Sequence, residues 1–293
     1  MTKKIIDGNK ISKKIYKKIS NDVTNLKLKY KKVPTLAVII VGEYAPSKIY
    51  VTIKRRRAEE VGMNFYLYQF NESITEEKLI KAIKKINKDK KINGLIVQLP
   101  LPKKFNTDKI LSYISPEKDV DGLHPENIGK LVLNEDSLVS CTPAGIMELI
   151  HSTKTKIEGL NAVIIGRSNI VGKPVAHLLL RENATVTITH SRTKNLSKIV
   201  KNSDIVIAAV GRPNFVKGSW IKKNALVIDV GINRVEDKKS EKGYKIVGDV
   251  DFKSAVKNAK FITPVPGGVG PMTVAMLLSN TVKAFKQQNR IAD

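Results

Sequence analysis

The sequence predicts an α/β protein of two domains, each built on parallel strands with helices between them. Three observations carry that prediction. The chain has 293 residues, more than a single hydrophobic core usually serves. Short apolar runs alternate with helix-patterned segments along nearly its whole length. These runs fall into two series, before and after about residue 140, so the expected domains are 1–139 plus 275–293, and 140–274.

Residues 9–30 place Ile11, Ile15, Ile19, Val23 and Leu26 on one helical face, with lysines opposite. TLAVIIVG (35–42) reads as a buried strand ending in glycine. Pro46 suits the first turn of a helix that runs to about Val61 and closes at Gly62. A strand at 64–70, a helix at 75–87, a strand at 94–98 and a helix at 106–114 follow. The second series has strands at 162–166, 185–189, 204–211, 225–231 and 260–263. It predicts a Rossmann-type doubly wound sheet. The apolar-periodic segment after Pro271 is expected to form a long helix that returns to the first domain.

Composition narrows the function. The formal charge is +25, with 52 Lys and Arg against 27 Asp and Glu. A nucleic-acid face would concentrate those cations and interleave them with aromatics for base stacking. Here lysines occur in nearly every segment and aromatics are 5% of residues, so no nucleic acid is expected. The single cysteine, Cys141, leaves no intramolecular disulfide and agrees with a reducing cytoplasm. No apolar run approaches the roughly 20 residues of a membrane span. The first residues lack the apolar core of a signal peptide, so a cytoplasmic protein without a membrane segment is expected.

AVIIGRSNIVGKPVAHLLL has the order strand, glycine-bearing loop, helix. Gly166 permits the tight turn, and amides opening the next helix suit an anion. Ser168 replaces the second glycine of the usual dinucleotide fingerprint. An ordinary βα turn is the alternative. The next strand ends in His190, Ser191 and Arg192, without the carboxylate that would hold a free ribose 2′-hydroxyl. With Arg167 in the loop, this favours NADP over NAD, because cations and hydroxyl donors suit a 2′-phosphate. The competing reading makes Arg167 and Arg192 two more surface cations.

Tyr50 and Lys54 lie four positions apart on one predicted helix, roughly 6 Å apart along its axis. That helix follows a buried strand, so it starts near the strand's C-terminal edge, where α/β sites form. Gln98 follows the strand of GLIVQLPLP, and Asp119 and Asp121 flank the turn of KDVDGLHP. Paired aspartates suggest a divalent metal, but no matching His or carboxylate cluster accompanies them, so no metal is expected. TPVPGGVGPMT (263–273) is a dense glycine–proline loop suited to close approach of a ligand.

These motifs, with SKIYVTIKRRRAEEVG, CTPAGIMELI, VIDVGINR and VGDVDF, resemble the bifunctional methylenetetrahydrofolate dehydrogenase/cyclohydrolase family over nearly the whole chain. The resemblance implies a homodimer of subunits with two α/β domains around a cleft. It implies NADP-dependent oxidation of 5,10-methylenetetrahydrofolate, then hydrolysis of the methenyl product to 10-formyltetrahydrofolate. It makes Lys54 the catalytic residue, tuned by Gln98. It makes Tyr50 and Asp121 contacts of the folate, bordered by Pro266, Gly267 and Gly268. It carries cofactor contacts to Gly166, Arg167, Ser168, Ser191 and the backbone at Ile232. One departure stands out: Ser140 precedes CTPAG where proline is common, which is expected to loosen that helix start without touching the chemistry.

Overall fold

The structure is a computed structural model describing residues 4–237, 240 and 243–291. Two compact units divide the chain: Lys14–Cys141 with Val274–Asp293, and Met1–Lys13 with Thr142–Thr273.

The first unit carries most of α1 (Gly8–Tyr30), then β1 (Thr35–Val41), α2 (Ala45–Glu60), β2 (Asn64–Phe70), α3 (Glu76–Lys88), β3 (Gly94–Val97), α4 (Thr107–Leu111) and α5 (Pro125–Val132). The three strands are parallel in the order β2-β1-β3. Every residue of β1 is buried, as expected for a central strand with both faces covered. On one face Leu36, Val38 and Ile40 meet Ile19, Val23 and Leu26 of α1. On the other, Ala37, Ile39 and Val41 meet Leu79, Ile83 and Ile86 of α3. Thr75 caps α3 by accepting the Lys78 N–H, and Glu76 and Glu77 favour its positive end. The predicted 106–114 helix closes early, at Leu111; Ser112 to Ile114 bend back in tight turns.

The second unit opens with α6 (Cys141–His151) and holds β4 (Asn161–Ile165), α7 (Gly172–Arg181), β5 (Thr185–Thr189), α8 (Leu196–Lys201), β6 (Ile205–Ala208), β7 (Leu226–Asp229), β8 (Asn233–Glu236), β9 (Tyr244–Val247), α9 (Phe252–Asn258) and β10 (Phe261–Ile262). Its main sheet is parallel in the order β10-β7-β6-β4-β5, the doubly wound pattern. The chain reverses direction across the sheet at β4, so a crevice opens beyond the C-terminal ends of β4 and β6. The antiparallel hairpin β8–β9 was not foreseen. Near the N-terminus, the Ile6 N–H donates to Ile262 O at 2.9 Å, which ties that segment to this sheet.

α10 (Val269–Gln288) begins two residues before Pro271, where an absent N–H costs nothing. Its Leu277, Leu278, Val282 and Phe285 share the core of Leu36 and Val38. Within that core Asn280 Nδ2 donates to Val120 O at 2.9 Å and to Val139 O at 2.8 Å. Among the described residues no helix is long and apolar enough to cross a membrane. Asn280→Ala is expected to cost about 1–3 kcal/mol, since two buried carbonyls lose their donor; a lower urea midpoint at unchanged slope is the readout.

Candidate functional site

The candidate residues lie on helix α2 in the first unit and on loops near the C-terminal ends of parallel strands in both units. In the first unit α2 rises directly after β1. Ser47, Val51 and Ala58 bury one side of α2. Tyr50 remains 42% exposed, while Lys54 is partly buried with its amine turned toward β3.

Lys54 Nζ donates to Gln98 Oε1 at 2.9 Å. Gln98 is itself fixed at two points. Its backbone N–H donates to Ile39 O at 2.8 Å, one step past the β1–β3 ladder. Its Nε2 donates to Leu99 O at 2.7 Å. The second bond sets the amide's orientation, because a flipped amide would face Leu99 O with an acceptor and Lys54 with a donor. Burial pushes the Lys54 pKa below the ordinary lysine value, while the negative charge of Asp121 pushes it back up. The result is an amine biased toward neutrality and anchored by a neutral acceptor.

The two aspartates of KDVDG have separate tasks. Asp119 is 2% exposed, and its Oδ2 accepts the His124 N–H at 2.7 Å and Asn127 Nδ2 at 2.9 Å. Burial pushes its carboxyl up, against the pull of those bonds. Asp121 is half-buried and faces Lys54 and Cys141. Between them and the next segment, Gly122 has φ +71°, and a Cβ there would overlap the backbone of Val139 and Ser140. Cys141 was read from sequence only as a redox marker, yet it lines this site. Its thiol donates to Val120 O at 3.2 Å, and burial, followed by the Asp121 charge, pushes its pKa up and keeps it protonated. The CTPAG motif was the available signal for it.

In the second unit Gly166 leaves β4 at φ +128°, and its N–H still donates to Thr189 O of β5 at 3.0 Å. A Cβ at Gly166 would overlap Ala209 O, so the loops after β4 and β6 touch at the crevice. Arg167 and Ser168 follow Gly166, and Ser191 and Arg192 follow β5 on the adjacent strand; all four are exposed. Ser168 Oγ accepts the Val171 N–H at 3.2 Å and the Gly172 N–H at 3.3 Å, so it occupies part of the helix opening itself. Cations, hydroxyls and the absent carboxylate fit a dinucleotide carrying a 2′-phosphate.

Ile232 follows β7 and is 55% exposed. Pro266 to Gly268 follow β10, the neighbour of β7, so both segments leave the same sheet edge. The Val265–Pro266 peptide is cis, as is Leu99–Pro100. The glycine loop also has an intramolecular reason: Gly8, at the start of α1, packs against Gly268 O so closely that a Cβ would not fit.

Sequence reasoning missed two buried aspartates beneath these loops. Asp249 accepts the N–H groups of Val210, Gly211 and Arg212 at 2.6–2.9 Å and Asn233 Nδ2 at 2.8 Å. Asp229 accepts the N–H groups of Gly231, Asp249 and Val250 at 2.8–3.0 Å. Burial pushes the Asp229 carboxyl up to about 6. VIDVG and VGDVDF were noticed as motifs, but neither spacing nor charge pointed to this pairing.

Residues 6–121 match the tetrahydrofolate dehydrogenase/cyclohydrolase catalytic domain, and residues 140–289 match the NAD(P)-binding domain of the same enzymes. The Bifunctional protein FolD of Listeria innocua is 54% identical over 97% of each chain. That of Acetivibrio thermocellus is 50% identical over 99% of this chain and 100% of its own. Among solved structures, FolD methylenetetrahydrofolate dehydrogenase/cyclohydrolase from Campylobacter jejuni superposes with a TM-score of 0.93 at 45% identity, covering 98% of this chain and 99% of its own. The Trypanosoma brucei enzyme, complexed with NADP cofactor and inhibitor, gives 0.94 at 42% identity over 99% and 100% of the two chains. The chain therefore belongs to the tetrahydrofolate dehydrogenase/cyclohydrolase family.

Proposed function

We infer that this enzyme of one-carbon folate metabolism oxidises 5,10-methylenetetrahydrofolate with NADP and hydrolyses the product to 10-formyltetrahydrofolate, with Lys54 as the proton-handling residue. The observation that supports this role is the buried Lys54 amine held by the neutral Gln98 oxygen. A neutral amine has two N–H groups and a lone pair. One N–H goes to Gln98 Oε1, which leaves the lone pair free to take a proton from an attacking water. The same amine can return a proton to the ring nitrogen as the bond to the bridging carbon breaks. A neutral Lys54 also avoids repelling the cationic methenyl substrate.

Tyr50 presents an exposed aromatic face one turn before Lys54, which suits a flat pterin or aminobenzoyl ring. Asp121 supplies an acceptor for the ring N–H groups of the pterin. We assign the folate contacts to these residues and to the 266–268 loop. Gly166, Arg167, Ser168, Ser191 and the Ile232 backbone are assigned to the cofactor, with Arg167 and Ser191 meeting a 2′-phosphate. When bound, NADP supplies the hydride acceptor. The chain's part in that step is alignment, bringing donor and acceptor carbons to about 3–3.5 Å. A homodimer and a cytoplasmic location complete the proposal.

Lys54→Met is expected to abolish methenyl hydrolysis while NADP affinity, read by fluorescence titration, is unchanged; wild-type hydrolysis in that variant removes Lys54 from the mechanism. The pH profile of kcat/KM for hydrolysis, corrected for the uncatalysed rate, reports the free enzyme's ionisations. Gln98→Glu places a negative charge against the amine, so the Lys54 pKa rises and the limb requiring neutral lysine moves to higher pH. Asp121→Asn removes the charge that raises it, so the limb moves to lower pH. Arg167→Ala with Ser191→Ala is expected to raise the KM for NADP roughly 10–100-fold, taking two charge-assisted contacts at 1.5–3 kcal/mol each and allowing for solvent exposure. The KM for NAD should change far less; equal losses for both cofactors exclude reading of the 2′-phosphate.

A further inference from the structure

We propose that Ser140 is a positioning residue for the folate reactions, holding the Asp121 turn in place through its side-chain hydroxyl. The inference rests on the reading of Asp121 as a folate contact.

Ser140 is 2% exposed, and its Oγ donates to Gly122 O at 2.6 Å. Gly122 directly follows Asp121, so this bond grips the Gly122–Leu123 peptide, one unit beyond the functional residue. The turn is gripped elsewhere too, but at other points. Asp119 holds the far side through the His124 N–H and Asn127. Asn280 holds Val120 O, and the Cys141 N–H reaches Asp121 O at a long 3.4 Å. The Gly122 carbonyl receives the shortest of these bonds, and it comes from a side chain. Gly122 also has no Cβ to wedge it against Val139 and Ser140. Its N–H is held by Asp119 O at 3.0 Å, and its carbonyl side is held by the Ser140 hydroxyl rather than by side-chain packing.

The consequence for chemistry follows from the neighbours of Asp121. Its charge faces the Lys54 amine and the Cys141 thiol, and Gln98 completes the set around that amine. A turn released at Gly122 shifts the carboxylate relative to both the substrate and Lys54. The Ser140 hydroxyl bridges the residue before α6 and the turn that carries Asp121. The helix start that serine was expected to loosen is thus tied to the catalytic turn.

The test is steady-state kinetics of both reactions for Ser140→Ala, Asp121→Ala and the double variant, with thermal melts. Loss of one buried hydrogen bond predicts about a three- to tenfold rise in the KM for methylenetetrahydrofolate in Ser140→Ala. The KM for NADP should not change. In the Asp121→Ala background, adding Ser140→Ala should produce no further rise, because the effect runs through that carboxylate. Ser140→Thr and Ser140→Val share one shape and differ in the hydroxyl, so threonine should retain a lower folate KM than valine. Three outcomes overturn the proposal: an unchanged folate KM in Ser140→Ala, an equal rise in the KM for NADP, or full additivity with Asp121→Ala. An unchanged folate KM in Asp121→Ala instead overturns the reading of Asp121, whatever Ser140→Ala does.

Discussion

A lysine that handles protons near neutral pH must lose its charge easily and still be held in one place. That pair of demands organises the first unit. A carboxylate would hold the amine but would also restore its charge. Gln98 meets both demands because its oxygen accepts from Lys54 while its Nε2 is committed to Leu99 O. The backbone around it is equally committed, since the Gln98 N–H extends the ladder to β1. The fully buried β1 then has a direct functional meaning. It fixes Gln98 on one side and launches α2, with Lys54, on the other.

The acidic groups around this amine are graded by distance from water. Asp121 stays half-buried and moderates the shift that burial imposes on Lys54. Cys141 is buried and protonated, so it adds shape without adding a permanent charge. Asp119 is as buried as Cys141, and its Oδ2 accepts the His124 N–H and Asn127 Nδ2. Two carboxylates separated by one valine thus act on different objects, one on the Lys54 amine and one on the chain around the turn.

Residues that act through sequence-local patterns were legible, and residues that act through distant partners were not. The buried strands, the 3.6-residue periodicity of α1 and α3, and the glycine turn after β4 follow from nearby residue types. Tyr50 and Lys54 could be paired from helical spacing alone. Their promotion from ordinary surface groups depended on the family resemblance, because Lys54 is one of 52 cations. The hairpin β8–β9 was missed because NRVE and YKIV carry mixed, half-exposed side chains with weak alternation. Asp249 was missed because its donors lie 37–39 residues earlier, on a loop whose own sequence asks for nothing. Ser140 was seen as a local change at a helix start, whereas its bond to Gly122 spans 18 residues.

Both units solve the same problem in the same way. Loops at the C-terminal ends of parallel strands must approach ligands, so they cannot be stabilised by burying large side chains of their own. A buried carboxylate that accepts several backbone N–H groups offers another route, because charge-assisted bonds are about twice as strong as neutral ones. Asp249 does this beneath Val210 to Arg212, and Asp119 uses the His124 N–H and the Asn127 side chain to the same end beneath the Asp121 turn. Asp229 extends the device by accepting the Asp249 N–H, so the two loops after β6 and β7 share one support. The cost is visible in the carboxyls of Asp119 and Asp229, both pushed up by burial despite their hydrogen bonds. Raised carboxyl pKa values at these positions therefore mark the scaffold of a site rather than its acid–base groups. On the role proposed for Lys54, its shift is the one that serves the chemistry, with burial and a single nearby carboxylate acting in opposite directions on the same proton.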